Sequence, residues 1–512
     1  MRFRILVVTL SWGLLAFSLK VSAGDKPSRS ITLQECVDLA LSKNMDLQVD
    51  RLNIEIAHSA VTGAYAPYDP TFTFRALHEH IDAPGDFDPH KFNPDFPYIM
   101  DQDTLAATLE GKVPIGLSYE LGTRVGQKSA LTDFNGNFDD ASDFFFGVRE
   151  TNNAFASAGV RATQHLLKDF WIDEERASLR VRQKELKMSE QALRFEISRV
   201  LLAVELGYYD LIVAREQLGV QEKALESKKQ LVTETRRRVE VGDLPPLDSE
   251  QAETQLQNTL TALAAAREEL GGRENALKAL LTDDFRQWAD TTLEPADTLV
   301  AVPVSLNRSQ SFHEALTSRP DLAEARLAVE KAAVMVQFRY NQLMPNVDLV
   351  ASYGNQSVQS GISAAVDDAY HFRGPDYTYG LVVSLPLGNL SARSQYRATK
   401  SAREMARLQL KKAEQGVFLQ VADWVNRVES RFSQVASTRK ARVYAEGALA
   451  AEEKKWQNGL STPFFVLQAQ EILTAARSAE IVSLAEYNKA LAQLAFAEGS
   501  LLQKHRVAVQ AR

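Results

Sequence analysis

Two hydrophobic periods alternate along this chain. Thr32 is placed to cap a helix that begins LQECVDLAL and resumes through Leu47, Leu52, Ile54, Ile56 and Val61 to about Tyr65, where Pro67 and Pro70 stop it. Period two follows: Phe72, Phe74 and Ala76 alternate with Thr71, Thr73 and Arg75. The stretch 83–103, rich in Pro, Asp and aromatics, has no period and reads as a loop. A hairpin is predicted next. Leu105 to Val113 and Leu117 to Val125 each alternate, with Pro114 to Gly116 between them. Gln127 to Asn153 reads as a second loop, and Ala156, Ala158, Val160 and Ala162 mark another strand.

From about Asp173 the period becomes helical and stays so. Ile197, Val204, Leu211, Leu218, Leu225, Val232 and Val239 repeat every seven residues, one seam along a helix of roughly 100 Å at 1.5 Å per residue. Gly242, Pro245 and Pro246 break it, and Leu256, Leu263, Leu270 and Leu277 mark a return helix to about Leu281. The programme then replays. It runs through a helix from about Ser311 to Gln342, a strand at Val347 to Tyr353, a loop to Pro375, a strand at Tyr377 to Leu385, a helix from about Ser391 to Gln457, and a return helix after Gly459 and Pro463.

The replay is visible in residues. Asp46 to Ala57 and Asp321 to Ala332 share six identities in twelve positions at an offset of 275. Gly242, Pro246, Gln251 and Ala252 recur as Gly459, Pro463, Gln468 and Ala469 at an offset of 217, so an internal duplication is inferred. The domain reading is a signal peptide at 1–23, a first repeat at 24–281 (strands within 71–166, helical hairpin 173–281) and a connector at 282–310. A second repeat covers 311–502 (strands within 347–387, hairpin 391–502), and a loose tail 503–512 ends the chain.

The N-terminus shows Arg2 and Arg4, an apolar run from Ile5 to Leu19, and Val21-Ser22-Ala23 in cleavage format, which predicts a secretory signal removed after Ala23. No later apolar run is long enough for a membrane helix, so a membrane location implies a β-barrel. Losing Arg2, Arg4 and Lys20 takes the formal charge from −8 to −11, which disfavours nucleic acid as a partner. Cys36, the one cysteine, has no disulfide partner and no lipobox before it, and is expected in the core of the first helix. Strands that alternate apolar and polar suit a barrel with lipid outside and water inside, and too few are present for one chain to close one.

The duplicated order of helix, strands, long helix and return helix, with V-x-V-G-x-x-x-P-L-D-x-x-x-A-E at Val239 to Glu253 and N-G-x-x-x-P-F-F-x-x-Q-A-Q at Asn458 to Gln470, resembles the TolC family of outer-membrane efflux proteins. The likeness covers essentially the whole mature chain. It implies an α+β membrane protein in which long coiled-coil hairpins form a periplasmic tunnel and strands contribute to a trimeric outer-membrane β-barrel. It also implies a homotrimeric passive exit duct in outer-membrane lipid, extending into the periplasm. Its partners would be a periplasmic adaptor and an inner-membrane pump of the RND, ABC or a similar class, in efflux or type I secretion. No cofactor and no catalysis are implied.

By that resemblance the turns Val241-Gly242-Asp243 and Asn458-Gly459-Leu460 dock adaptor hairpins, with Thr462 capping the second return helix and Pro463 at its first position. Six residues beyond each glycine, well-known members tend to carry aspartates that ring the tunnel entrance. Here Asp248 keeps the acid, but the second copy has Phe465 beside Phe464, with Gln468 one turn on. These four residues are the candidate gate, and the phenylalanines put an acidic, cation-selective entrance in doubt; a hydrophobic constriction is the alternative. The Leu105 to Val125 hairpin exceeds the family's usual two strands in that half. His78, His80 and His90 lack ligand spacing on a helix and no Cys or Asp/Glu cluster is expected to join them, so they read as surface residues rather than a metal site. There is no Ser/His/Asp arrangement, P-loop, HExxH or dinucleotide turn, so no enzyme is expected. The competing reading is a periplasmic coiled-coil adaptor or structural spacer, against which the membrane-type strands weigh.

Overall fold

The fold is taken from a computed structural model that describes residues 28–84, 96–133, 148–371 and 373–507. The signal peptide, His90 and the end of the tail lie outside these residues. The first half opens with β1 (Ser28–Ile31), α1 (Leu33–Lys43) and α2 (Met45–Gly63), then β2 (Thr71–Ala83), β3 (Tyr98–Val113), β4 (Leu117–Asp133) and β5 (Val148–His165), and ends with α3 (Glu174–Glu240) and α4 (Pro246–Leu281). The connector holds α5 (Phe285–Trp288) and β6 (Thr292–Pro295). The second half runs α6 (Arg308–Ser318), α7 (Pro320–Asn341), β7 (Asn346–Gln359), α8 (Ile362–Tyr370), β8 (Pro375–Ser384), α9 (Leu390–Gln457), α10 (Pro463–Glu498) and α11 (Leu501–Lys504).

The copies match closely in length: α3 and α9 have 67 and 68 residues, and α4 and α10 have 36 each. Each copy also breaks its first helix at an equivalent place. Asn44 separates α1 from α2, and Arg319, at the same offset of 275, separates α6 from α7. Both residues are buried, and both donate to the end of a return helix: Asn44 Nδ2 to Leu280 O at 3.1 Å, and Arg319 Nη1 to Ala497 O at 3.1 Å. Leu280 and Ala497 are themselves related by the offset of 217. The single helix expected from Ser311 to Gln342 is therefore two, because Pro320 cannot donate into a continuing helix and suits a first turn.

The chain forms two compact units. One draws on Met1–Asn44, Ala203–Val302 and Ser433–Lys489. There the parallel pair β1 and β6 joins the connector to the segment just before α1. Cys36 is fully buried in α1, and desolvation pushes its thiol up to about 12. Tyr208 Oη donates to Asp297 Oδ2 at 2.8 Å, and Asp297 Oδ2 accepts from Leu33 N at 3.0 Å, so α1 is held by the connector and by α3.

The other unit draws on Met45–Leu202, Pro303–Phe432 and Ala490–Arg512 and holds one antiparallel sheet in the order β2-β3-β4-β5-β7-β8. The 104–125 hairpin is thus part of the sheet. Both loops read from composition are shorter than expected. Tyr98 to Asp103 pair with His78 to Ala83, and Gln127 to Asp133 pair with Val148 to Ala154. The loop expected before Pro375 contains α8.

The register sorts the sheet into two faces. Phe72, Leu109, Leu121, Val160, Tyr353 and Tyr377 fall in one row on the first face, followed by Phe74, Leu105, Leu349, Tyr379 and Leu381, many of them half exposed or more. The second face carries Thr73, Arg75, Glu110, Glu120, Arg124 and Arg161. A wall apolar on one side and charged on the other suits lipid against one face and water against the other.

Candidate functional site

The two glycine turns are built alike. Asp243 N donates to Arg238 O at 2.8 Å and Gly242 N to Val239 O at 3.1 Å; Leu460 N donates to Lys455 O at 2.8 Å and Gly459 N to Trp456 O at 3.1 Å. Each pair closes a Schellman motif around a left-handed glycine, with φ of +83° at Gly242 and +68° at Gly459. Pro246 and Pro463 then occupy the first position of α4 and α10. Asp248 N bonds Pro245 O and Phe465 N bonds Thr462 O, so the two return helices start in the same way.

The turns lie side by side because all four helices share one core. Leu231 and Val232 of α3, Ala252 of α4, Trp456 of α9, and Val466 and Leu467 of α10 form a buried cluster, with Leu256 and Leu449 against it. Arg238 stacks over the Trp456 ring at 4.3 Å and its Nη1 approaches Trp456 O at 3.4 Å, which fastens one hairpin to the other. Around this core sit buried polar atoms without a partner, Thr235 Oγ1, Trp456 Nε1 and Gln470 Oε1. Lys228 is also buried, its ammonium 3.9 Å from the Glu471 carboxylate, and desolvation holds its pKa below the ordinary value. A core with this much uncompensated polarity is less stable than an apolar one of the same size.

Val241 and Leu460 are 68% and 79% exposed, and Asp243 and Asn458 are exposed beside them, so the tip presents an apolar and polar mix to solvent. Phe464 and Gln468 line a groove of about 450 Å³ together with Leu247, Glu250, Gln251 and Glu471. The offset of 217 maps Leu247 onto Phe464 and Gln251 onto Gln468, so α4 and α10 contribute equivalent positions to the two walls. Asp248 and Phe465, also equivalent, lie outside that lining, with the Phe465 ring 5.6 Å from that of Phe464. Of the four candidate gate residues, the structure brings Phe464 and Gln468 into the groove. Leu247 and Gln251 were reachable from the repeat alone. Lys228 and the Arg238–Trp456 stack were not, because nothing in sequence marks which polar residue of a seam is buried.

His78 and His80 are exposed, as expected of surface residues, but each has an acidic neighbour across the strands. The pairing of β2 with β3 sets Asp103 against His78 (2.8 Å) and Asp101 against His80 (2.6 Å), so carboxylates do join them. Each bond takes the ring Nδ1, and among the described residues no group of three or more His, Cys, Asp or Glu has the arrangement of a metal site.

The family model for outer membrane efflux proteins matches residues 147–282 and 312–500, well over half of the chain. The chain belongs to the outer membrane efflux protein family. It is 24% identical over 326 residues to the outer membrane efflux protein BepC of Brucella suis, covering 63% of this chain and 67% of that one. It is 23% identical over 373 residues to the outer membrane protein TolC of Vibrio cholerae, covering 69% and 79%. In fold it is similar to the outer-membrane channel OprN (TM-score 0.66, 16% identity, 91% and 90% covered) and to CusC (TM-score 0.65, 17% identity, 96% and 99% covered). The chain is an outer-membrane efflux channel of the TolC-like type, and the reading as an adaptor or spacer is set aside. No helix among the described residues is long and apolar enough to cross a membrane. The hairpin of β3 and β4 precedes the matched segments.

Proposed function

We propose that three copies of this chain form a passive exit duct, joined at the tip to a periplasmic adaptor and through it to an inner-membrane pump. The relatives support the efflux role, and the observation that carries the tip's role is the pair of repeat-equivalent turns, fixed in one four-helix core and exposing Val241, Asp243, Asn458 and Leu460. Three chains place six such turns in a ring, alternating Gly242 and Gly459 types. An adaptor hairpin would read each turn through its glycine backbone and its one exposed apolar side chain. The duct needs no chemistry of its own, because the pump supplies the energy.

The gate divides between the copies. Phe464 and Phe465 from three chains supply apolar groups at the entrance, where a narrow apolar ring opposes ions by dewetting, and Asp248 supplies the charge in the other copy.

Six strands in each of three sheets make a barrel of eighteen. At a strand spacing of 4.8 Å and a tilt near 40°, that ring is roughly 35 Å across between backbones. The test uses the purified adaptor that serves the same pump. Val241→Asp with Leu460→Asp is expected to abolish its binding to the intact channel while leaving the oligomer unchanged, and Phe464→Ser with Phe465→Ser is expected to raise conductance in planar bilayers. Unchanged adaptor affinity in the first variant would remove the docking role, and unchanged conductance in the second would remove the gate.

A further inference from the structure

The helix α8, inserted between β7 and β8, has no role in the duct described so far, yet the sheet is built to receive it. Ala365 and Ala369 are buried against Ala154 and Ala156 of β5, with Val125 of β4 beside them. These partners belong to the apolar face of the sheet, since Val125, Ala156 and Ser357 share one row with Leu105 and Ala76. β7 departs from the apolar pattern of that face only where α8 covers it. Asn355 Nδ2 donates to Asp368 O and Ala369 O, both at 2.8 Å, and Ser357 and Gln359 reach the Asp368 carboxylate. The helix is therefore seated on the outer wall by a small-residue bed and a set of hydrogen bonds to its last turn.

Its remaining surface is two-sided. Ile362, Val366 and Tyr370 recur every four residues and form one flank, exposed by 46%, 41% and 80%. Asp367 and His371, paired at 3.2 Å, form the other with the Arg373–Asp368 ion pair at 3.0 Å behind them. An apolar flank beside a charged one, parallel to a wall, is the pattern of an element at a membrane–water boundary. Protein is a poor candidate for what covers the apolar flank. α8 lies over β4, β5 and β7, whereas the edges open to neighbouring copies are β2 and β8.

The geometry points to α8 as an interfacial helix of the outer leaflet, its Ile362–Val366–Tyr370 flank in contact with lipid and continuous with the lipid-facing wall. This rests on the reading of that wall as a membrane barrel. The full chain in a Cys36→Ala background, with single cysteines at 362, 366, 367 or 370, is labelled with an environment-sensitive fluorophore and reconstituted in phosphatidylcholine–phosphatidylglycerol vesicles carrying a doxyl-labelled phosphatidylcholine. The ratio of lipid-nitroxide to iodide quenching is expected to be several-fold higher at 362, 366 and 370 than at 367. Equal iodide quenching at all four positions places the helix in water and overturns the proposal. Protection of the three apolar positions from both quenchers means that protein covers them and overturns it too. A probe at Leu121, in the centre of the wall, separates the two levels. Lipid quenching there with none at α8 sinks the helix alone, while its absence at Leu121 sinks the barrel reading and α8 with it.

Discussion

Gly242 and Gly459 sit in the left-handed region at φ of +83° and +68°, and the space around each is open, so only the backbone forbids a side chain there. An added Cβ in that conformation costs about 1–2 kcal/mol. Gly459→Ala should accordingly accelerate proteolytic cleavage at the tip about fivefold or more, that being the population change 1 kcal/mol brings, and the check is a time course of limited proteolysis against the parent. Cys36 makes the opposite case. Buried, with its thiol pushed up to about 12, it should resist a thiol reagent in the folded channel and react stoichiometrically in denaturant. The glycines were legible in sequence because a break after seven heptads requires a residue free to turn. The direction of a side chain was not. Phe464 faces a groove and its neighbour Phe465 does not, a difference of 100° around a helix whose partners the chain does not announce.

At the scale of elements, the bounds of α3 and α9 were readable to within a residue or so, and in α3 a seam of period seven sustained from Ile197 to Val239 admits no other element. The second return helix, read as far as 502, instead ends at Glu498 before a left-handed Gly499. The strands were readable only where lipid faces one side. Beyond that belt Tyr98 to Asp103 and Gln127 to Asp133 have polar residues on both faces, so the alternation disappears although the ladder of hydrogen bonds continues. The nine residues of α8 are too few for a period. The tip core yields a prediction of its own. Lys228 in α3 is buried near Glu471 in α10, and its pKa is depressed from the ordinary 10.5 by desolvation. Between the depressed value and 10.5 the unfolded side chain holds a proton that the folded one has released. Stability therefore rises with pH through that window, and below it the tip carries the cost of a buried ammonium. Lys228→Met should stabilise the tip at neutral pH and flatten the alkaline rise, read as the urea midpoint of a fluorophore at Glu240→Cys across pH.

At the scale of the molecule, the extra hairpin of β3 and β4 changes the closure without disturbing it. Two added strands preserve the antiparallel alternation, so the chain still presents β2 at one edge and β8 at the other, running in opposite directions. In a ring of three, β8 of each copy must pair with β2 of the next, because neither edge has another partner in its own sheet and an open edge in lipid leaves a row of unsatisfied backbone groups. The wall then gains half again the perimeter that four strands per chain would provide, while the tip, set by six turns, is unaffected. The pairing can be caught by oxidation. With Thr73→Cys on the charged face of β2, a second cysteine is placed in turn at Thr378, Gly380 and Val382 on the same face of β8. Since residues opposite each other in an antiparallel pair have Cβ atoms about 4.5–5.5 Å apart, one of the three placements should give a covalent trimer on a denaturing gel. Monomer alone in all three, from a sample whose native mass is that of a trimer, would show that the sheets do not join edge to edge, and the eighteen-stranded barrel would have to be abandoned.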